Sequence, residues 1–253
     1  MEEIKKKVQE WWNSFPCCSK AAKAPRGTRE FYEQVDLYKN TCEPFTNHIA
    51  DYARWNGKEV LEIGCGLGKD FSRFASGGAA ATAIDMSLES LKLTKKRLEI
   101  FGLKGNLCLA DAENLPFKDN VFDLIFSWGV LHHTPNTQKA TDEAYRSLKP
   151  KGGKIIIMLY NKYSLLSFTY SLISMFYLTG IDRKQMFAAL TDGTGNPLSK
   201  AYSRKEALVM FLKFRNIRIR AYEPKETPFK KIFNIFDALE KRFGWFMVIR
   251  AEK

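Results

Sequence analysis

From Lys58 onward, short apolar runs alternate with longer segments of helical period. Val60, Leu61, Glu62 and Ile63 predict a first buried strand, and a glycine turn follows over 64–68. A helix begins at Lys69 and runs to about 75. A second strand over 81–84 ends at Asp85. Ser87-Leu88-Glu89-Ser90 has the form of a helix cap, and its helix continues to about Phe101. Further strands are expected over 107–110, 122–126 and 155–159. Residues 137–148 carry a helical pattern that Pro150 and Gly152-Gly153 stop. Strand–helix–strand units repeated in this way build a parallel sheet with helices on both faces.

The tail departs from plain alternation. It predicts a helix over 203–214, a strand over 217–221 and a final strand over 245–250. The expected fold class is α/β: a doubly wound, mostly parallel sheet, with the orientation of the last strand left open by spacing alone. Residues 1–55 read as a helical cap with Trp11-Trp12, Phe31-Tyr32 and Tyr38 as apolar points, and 56–253 as the sheet domain. Two insertions interrupt that domain, a lid over 160–202 and a helical insertion over 226–243. The stretch 163–181 has no charge and approaches the roughly 20 residues of a membrane span. Its six Ser and Thr residues, four of them serines on one stripe, favour a lid helix that roofs a pocket. In the second insertion Phe229, Ile232, Phe233, Phe236, Leu239 and Phe243 form an apolar face, with Lys230, Lys231, Lys241 and Arg242 on or beside the other. That pattern suits a core-packing helix, with a membrane-surface or substrate-cap helix as the alternative.

Composition adds bounds. The 253 residues are 45% hydrophobic, enough for a full core. The five cysteines lack zinc-type spacing and are odd in number, so neither a metal site nor a disulfide framework is expected, and a reduced cytoplasmic compartment fits best. The net charge of +12 favours polyanionic partners. The positives are spread along the chain, however, with no dense basic tail and no RNA-binding signature, so nucleic acid is disfavoured.

The chemistry-bearing signal is Val60-Leu61-Glu62-Ile63-Gly64-Cys65-Gly66-Leu67-Gly68. A strand that ends in closely spaced glycines lets a ligand approach the backbone, and the following helix N-terminus suits an anion. The dinucleotide fingerprint GxGxxG needs a glycine at 69, where this chain has Lys69. The GxGxG spacing instead suits a compact amino-acid tail. Asp85, at the end of the second strand, can accept from two ribose hydroxyls. Asp111, after the third strand, can accept from the exocyclic amine of adenine, and Ala112 can offer its N–H to a ring nitrogen. These groups fall at the carboxyl ends of successive strands, the edge at which open α/β sheets bind ligands.

On these motifs the run 56–162 resembles the S-adenosylmethionine (SAM)-binding core of the class I methyltransferases, in the small-molecule branch related to ubiquinone and menaquinone methyltransferases. VLEIGCGLG resembles the first motif and AIDMS, with Met86, the ribose motif. ADAENLPF resembles the adenine motif, FDLIFSWGVLHHTPN the post-strand-four motif, and LKPKGGKIIIM the loop before strand five. The resemblance implies a Rossmann-like methyltransferase fold, a seven-stranded sheet whose reversed last strand lies beside the fifth, with SAM as cofactor and S-adenosylhomocysteine as product. It implies Gly64, Cys65, Gly66 and Gly68 along the methionine tail, Asp85 on the ribose, Asp111 and Ala112 at the adenine, and Ser127 by its carbonyl at the amino group. Glu62 and Asp70 are similar to acidic positions that orient the cationic end. Two flanks, 12–17 and 192–197 with Ala201-Tyr202-Ser203, resemble a bacterial methyltransferase subgroup.

The expected reaction is an in-line methyl transfer to O, N, S or C of a small, partly apolar acceptor, which requires alignment, exclusion of water and removal of any acceptor proton. His132 and His133 are the candidate bases, with packing under the cofactor as the competing role. Trp11, Trp12, Cys17, Tyr160, Asn161, Tyr163 and Tyr202 are the candidate substrate contacts. A thiophilic acceptor at Cys17-Cys18 is disfavoured because adjacent cysteines converge poorly on one ion. A nucleic-acid (RNA) methyltransferase is the alternative that the charge raises. Leu131-His132-His133-Thr134 stands where base-modifying enzymes carry an Asn/Asp-Pro-Pro-Tyr/Phe tetrapeptide, and argues against it. A non-catalytic SAM-binding regulator is the third reading. Peripheral contact with a membrane surface is expected to be the limit of any membrane association, with no span.

Overall fold

The computed structural model describes residues 2–169, 191–193, 195–225, 227 and 237–253. The greater part of the uncharged stretch 163–181 and most of the apolar face at 229–243 lie outside these residues. No helix among the described residues is long and apolar enough to cross a membrane.

Seven strands form one path: β1 Glu59–Ile63, β2 Ala80–Asp85, β3 Asn106–Leu109, β4 Leu124–Trp128, β5 Lys154–Asn161, β7 Arg215–Tyr222 and β8 Phe246–Glu252. Their order is β3-β2-β1-β4-β5-β8-β7. The pairs from β3 to β5 are parallel, and β8 runs antiparallel between β5 and β7. The reversed last strand therefore lies beside the fifth, as expected. An eighth strand, β6 Ala201–Tyr202, was not foreseen. Pairing of β5 with β4 ends at Met158, and β5 runs on to Asn161. The overhanging Tyr160 and Asn161 pair with Ala201 and Tyr202.

Helices among the described residues include α1 Glu2–Ser14, α2 Arg29–Cys42, α3 Phe45–Ala50, α4 Lys69–Ser76, α5 Leu88–Phe101, α6 Thr137–Ser147, α7 Arg204–Met210 and α8 Asp237–Phe243. Their ends follow local chemistry. Ser87 caps α5 by accepting from the Ser90 N–H, and Gly102 closes it in the left-handed region. Ser203 and Glu206 form a reciprocal capping box on α7. That helix stops at 210 and not 214, because buried Phe211 and Phe214 turn the chain back towards β7. β4 begins two residues later than the apolar pattern implies. Asp123 instead binds the Glu59 N–H and the Lys149 ammonium, and polar Ser127 continues the strand by donating to the Ile63 carbonyl.

The central strands are buried on both sides, as a covered parallel sheet requires. Phe71, Phe74, Phe126, Trp128 and Phe246 share one core, and Ile63, Ile125, Ile157, Phe211 and Ile249 another. The N-terminal helices close over the carboxyl edge of the sheet. Phe31, Tyr32 and Val35 of α2 pack with Leu67 and Leu93, and the Tyr32 hydroxyl donates to the Leu93 carbonyl at 2.6 Å. The amide of Gln9 on α1 donates to the Met86 carbonyl at 2.7 Å, and the Ser87 hydroxyl donates to Asn13 at 2.9 Å. The first helix is thereby fixed across the turn that leaves β2.

Candidate functional site

A cleft opens where β1, β2, β4 and β5 end, beneath α1 and α2. It encloses about 1310 Å³ of space, the open solvent at its mouth included.

The glycine turn forms its floor. Gly64 has φ +78°, and a Cβ there would strike Val130 at 2.3 Å. At Gly66, with φ +53°, a Cβ would meet nothing within 4 Å, and the residue lines the cleft. The backbone is bare where a ligand must approach it. The Asp85 carboxylate accepts from the Gly66 N–H at 2.9 Å and from the Ser87 N–H at 2.8 Å, which fixes the turn against β2. Burial nevertheless pushes Asp85 above its ordinary value. Glu62 is 3% exposed and its Oε2 has no partner. Burial, then the charge of Asp70, raises Glu62 well above the carboxylate range. For Asp70, burial opposes ionisation but Lys69 and Lys39 outweigh it, and its value falls. The Tyr52 hydroxyl donates to Asp70 at 2.5 Å.

Five charged residues at this edge are not among the candidate site residues of the sequence. Lys39 of α2 lies 3.6 Å from Glu43, and Glu43 accepts from the Trp128 indole N–H at 2.8 Å. Lys69, where a dinucleotide site would need glycine, is buried and 3.6 Å from Asp70. Lys39 and Lys69 bring two ammonium groups to the end that also holds Glu62 and Asp70. A zwitterionic amino-acid tail needs both signs. Lys5 of α1 lies 2.5 Å from Asp111 and 2.7 Å from Glu113. Asp192, the fifth, belongs to the acceptor end. Only its neighbourhood in the 192–197 motif could have pointed to it.

Glu62, Gly64, Cys65, Gly66, Asp70, Asp85, Met86, Asp111 and Ala112 all line the cleft. Gly68 and Ser127 do not: Gly68 caps α4 against Thr94, and the Ser127 hydroxyl faces Ile63. Of the histidines, His133 lines the cleft. His132 lies behind it, fully buried against the Tyr160 ring at 4.0 Å, with both ring nitrogens unpartnered. Burial holds His132 well below its ordinary value.

Trp12, Cys17 and Tyr160 also line the cleft, and the other four candidate substrate contacts sit outside it. Trp11 covers Gly193 and Gly195. Asn161 donates to the carbonyls of Arg242 and Gly244 and accepts from the Tyr163 N–H, so it ties the end of β5 to the approach of β8. Tyr163 is 64% exposed. The Tyr202 hydroxyl donates to Thr137 at 2.8 Å. Cys17 and Cys18 do converge, with their sulfurs 3.5 Å apart, because Cys18 is in the left-handed region at φ 62°. No group of three or more metal-ligating side chains occurs among the described residues.

At the acceptor end, Nδ1 of His133 lies 2.6 Å from the Leu198 carbonyl. A carbonyl only accepts, so Nδ1 carries a hydrogen, and in the neutral form of the ring Nε2 presents a lone pair. Nε2 has no hydrogen-bond partner and lies 3.6 Å from Oδ1 of Asp192. The same Oδ1 accepts from the Tyr160 hydroxyl at 2.9 Å, and Oδ2 accepts from the Thr191 hydroxyl at 2.6 Å. Burial, and then Asp192, holds the Tyr160 phenol well above its ordinary value.

Residues 61–157 match the family model described as Methyltransferase domain. An uncharacterised protein of Methanocaldococcus jannaschii is 33% identical over 229 residues, which cover 88% of this chain and 93% of that one. Phosphoethanolamine N-methyltransferase 2 of Caenorhabditis elegans is 35% identical over 42% of this chain, a match that spans only 24% of its own length. Among solved structures, a SAM-dependent methyltransferase of Thermotoga maritima, described as a possible histamine N-methyltransferase, superposes with TM-score 0.60 at 19% identity. That match covers 97% of this chain and 99% of the other. At that identity the likeness bears on the fold.

Proposed function

Because this chain belongs to the class I SAM-dependent methyltransferases, we propose that it methylates a small, partly apolar molecule held beneath α1, with His133 as the base. One observation carries the reading. The same cleft joins the glycine turn and carboxylates at the ends of β1 to β3 to the unpartnered His133 Nε2 at the end of β4.

The residues fit the cofactor. The bare backbone at Gly66 leaves room for it, and the unpartnered Glu62 Oε2 is a buried acceptor for its ammonium. Lys39 and Lys69 are placed for its carboxylate, and Asp85 for the ribose. When bound, SAM supplies a methyl carbon made electrophilic by the sulfonium.

The protein's part is alignment, exclusion of water and proton removal. Holding two reactants in line can lower a barrier by several kcal/mol, up to ~7–11. Trp12, Trp128 and Phe246 keep the acceptor end apolar. His133 takes the acceptor proton at Nε2 while the Leu198 carbonyl holds Nδ1–H, and Asp192 stabilises the imidazolium that results. Among the described residues His132 has no hydrogen-bond partner and does not line the cleft, which supports a packing role for it.

The test is to incubate the purified chain with metabolite extract and isotopically labelled SAM, then search by mass spectrometry for newly labelled products. A labelled small molecule that disappears with His133→Ala is expected. Label confined to nucleic acid, or unchanged by that variant, would overturn the proposal.

A further inference from the structure

We infer that the methyl acceptor is an amine, which enters as its ammonium ion and is held between Asp192 and His133. The inference rests on the methyltransferase reading above and narrows it to one class of acceptor.

The argument begins with unmatched acceptors. With Nδ1 held by the Leu198 carbonyl, a neutral His133 ring presents its Nε2 lone pair, and Oδ1 of the Asp192 carboxylate lies 3.6 Å away. Two acceptors that face one space repel unless a donor stands between them. An ammonium group has hydrogens for both. A neutral hydroxyl has one hydrogen, which would leave one of the two unmet. A carboxylate or phosphate would face Asp192 with like charge.

Charge and burial agree with this. The Asp192 side chain is only 8% exposed. Its described partners, Tyr160 and Thr191, are neutral hydroxyls. Among the described residues, no Lys or Arg forms an ion pair with it; His133 is the basic group in reach. Neutral donors alone leave a buried carboxylate charge uncompensated, so a cation beside it is favoured. Lys39, which also lines the cleft, is paired with Glu43 at 3.6 Å. The walls are also suited to a cation. Tyr160 and Phe246 line the space, and the Trp12 ring lies 5.1 Å from the His133 ring. Aromatic faces attract ammonium ions, more strongly when water is excluded.

The step balances. The ammonium gives one proton to His133 Nε2, leaving a neutral amine. The nitrogen lone pair forms the N–C bond to the methyl carbon. The C–S bond breaks as it forms, and its electron pair returns to sulfur. The product is a methylated ammonium and a thioether, with Asp192 facing the new imidazolium.

The test uses the full chain, methyl-labelled SAM and matched compounds: phenethylamine and tryptamine against phenethyl alcohol, tryptophol and 3-phenylpropanoate. Label is expected in the amines at least 100-fold above their hydroxyl and carboxylate counterparts. Asp192→Asn should raise the amine KM by 10-fold or more without changing S-adenosylhomocysteine affinity, and Asp192→Glu should restore part of the loss. Should Asp192→Asn fail to fold, calorimetric titration of amine and alcohol pairs into the wild-type chain loaded with S-adenosylhomocysteine replaces it. Tighter binding of the amine is then expected. Label in the alcohols or the carboxylate, or SAM binding with no amine methylated, overturns this inference alone. Failure to bind SAM at all overturns the methyltransferase reading beneath it.

Discussion

The Lys5 ammonium lies 2.5 Å from Oδ2 of Asp111, on a carboxylate whose other oxygen accepts from the Glu113 N–H at 2.9 Å. The resemblance assigns that carboxylate to adenine, yet both oxygens already have donors from the protein. The helix that carries Lys5 also bonds Met86 and Ser87 over the ribose end of the cleft. On the proposed adenine and ribose assignments, the first helix competes with the cofactor for these contacts and yields some of them on binding. Lys5→Ala should speed both association and release of S-adenosylhomocysteine, by roughly 1.4–5-fold for a partly exposed pair. Stopped-flow fluorescence of the tryptophans measures both rates; unchanged rates would mean that α1 does not gate the site.

Asp85 is tied to the turn it faces, through the N–H groups of Gly66 and Ser87. Its loss removes both a ribose acceptor and the brace of the glycine turn. Hydrogen bonds to a charged group contribute ~1.5–3 kcal/mol each. Asp85→Ala should weaken SAM and S-adenosylhomocysteine by at least about 10-fold in calorimetry. Equal affinities for wild type and variant would remove the ribose assignment.

His133 is expected to act on turnover and not on the cofactor. His133→Ala should lower kcat by about 10²–10⁴-fold, the range of a lost general base, while SAM affinity changes little. Parallel losses of turnover and affinity would instead mark a packing role.

Most of the sheet was legible because its strands are short apolar runs separated by glycine, cap and proline signals. The reversed β8 fell at the predicted place because Trp245 to Ile249 is a buried apolar run. The two-residue β6 was not legible, since Ala201 and Tyr202 pair only where β5 overhangs β4. At the site, glycines and strand-end carboxylates announce themselves by spacing. Lys39, Glu43 and Asp192 do not, because each reaches the cleft from an element far away in sequence. Asn161 and Tyr163 misled for the converse reason: they follow β5 in sequence, but the chain turns there and spends the Asn161 amide on the backbone of Arg242 and Gly244. Adjacent His132 and His133 look alike in sequence, and only the turn at 131–133 sends one ring into the core and the other to the cleft.

That difference makes His132 a source of acid sensitivity. It is 0% exposed, neither nitrogen has a partner, and burial, with His133 and Lys200 adding to it, holds it well below 6.5. The unfolded chain gains a proton at this residue below about pH 6.5, and the folded chain does not. Because the folded value is depressed, its contribution to stability is intact above pH 6.5 and falls as the pH drops below it. The loss approaches ~1.4 kcal/mol per pH unit until the folded value is reached. His132→Phe keeps a ring against Tyr160 and removes the titration. Urea unfolding at pH 7.5 and 5.5 should show a smaller loss of stability on acidification in His132→Phe, by about 1 kcal/mol. Equal losses in the two proteins would mean that His132 accepts its proton within the fold, and that its burial has been misread.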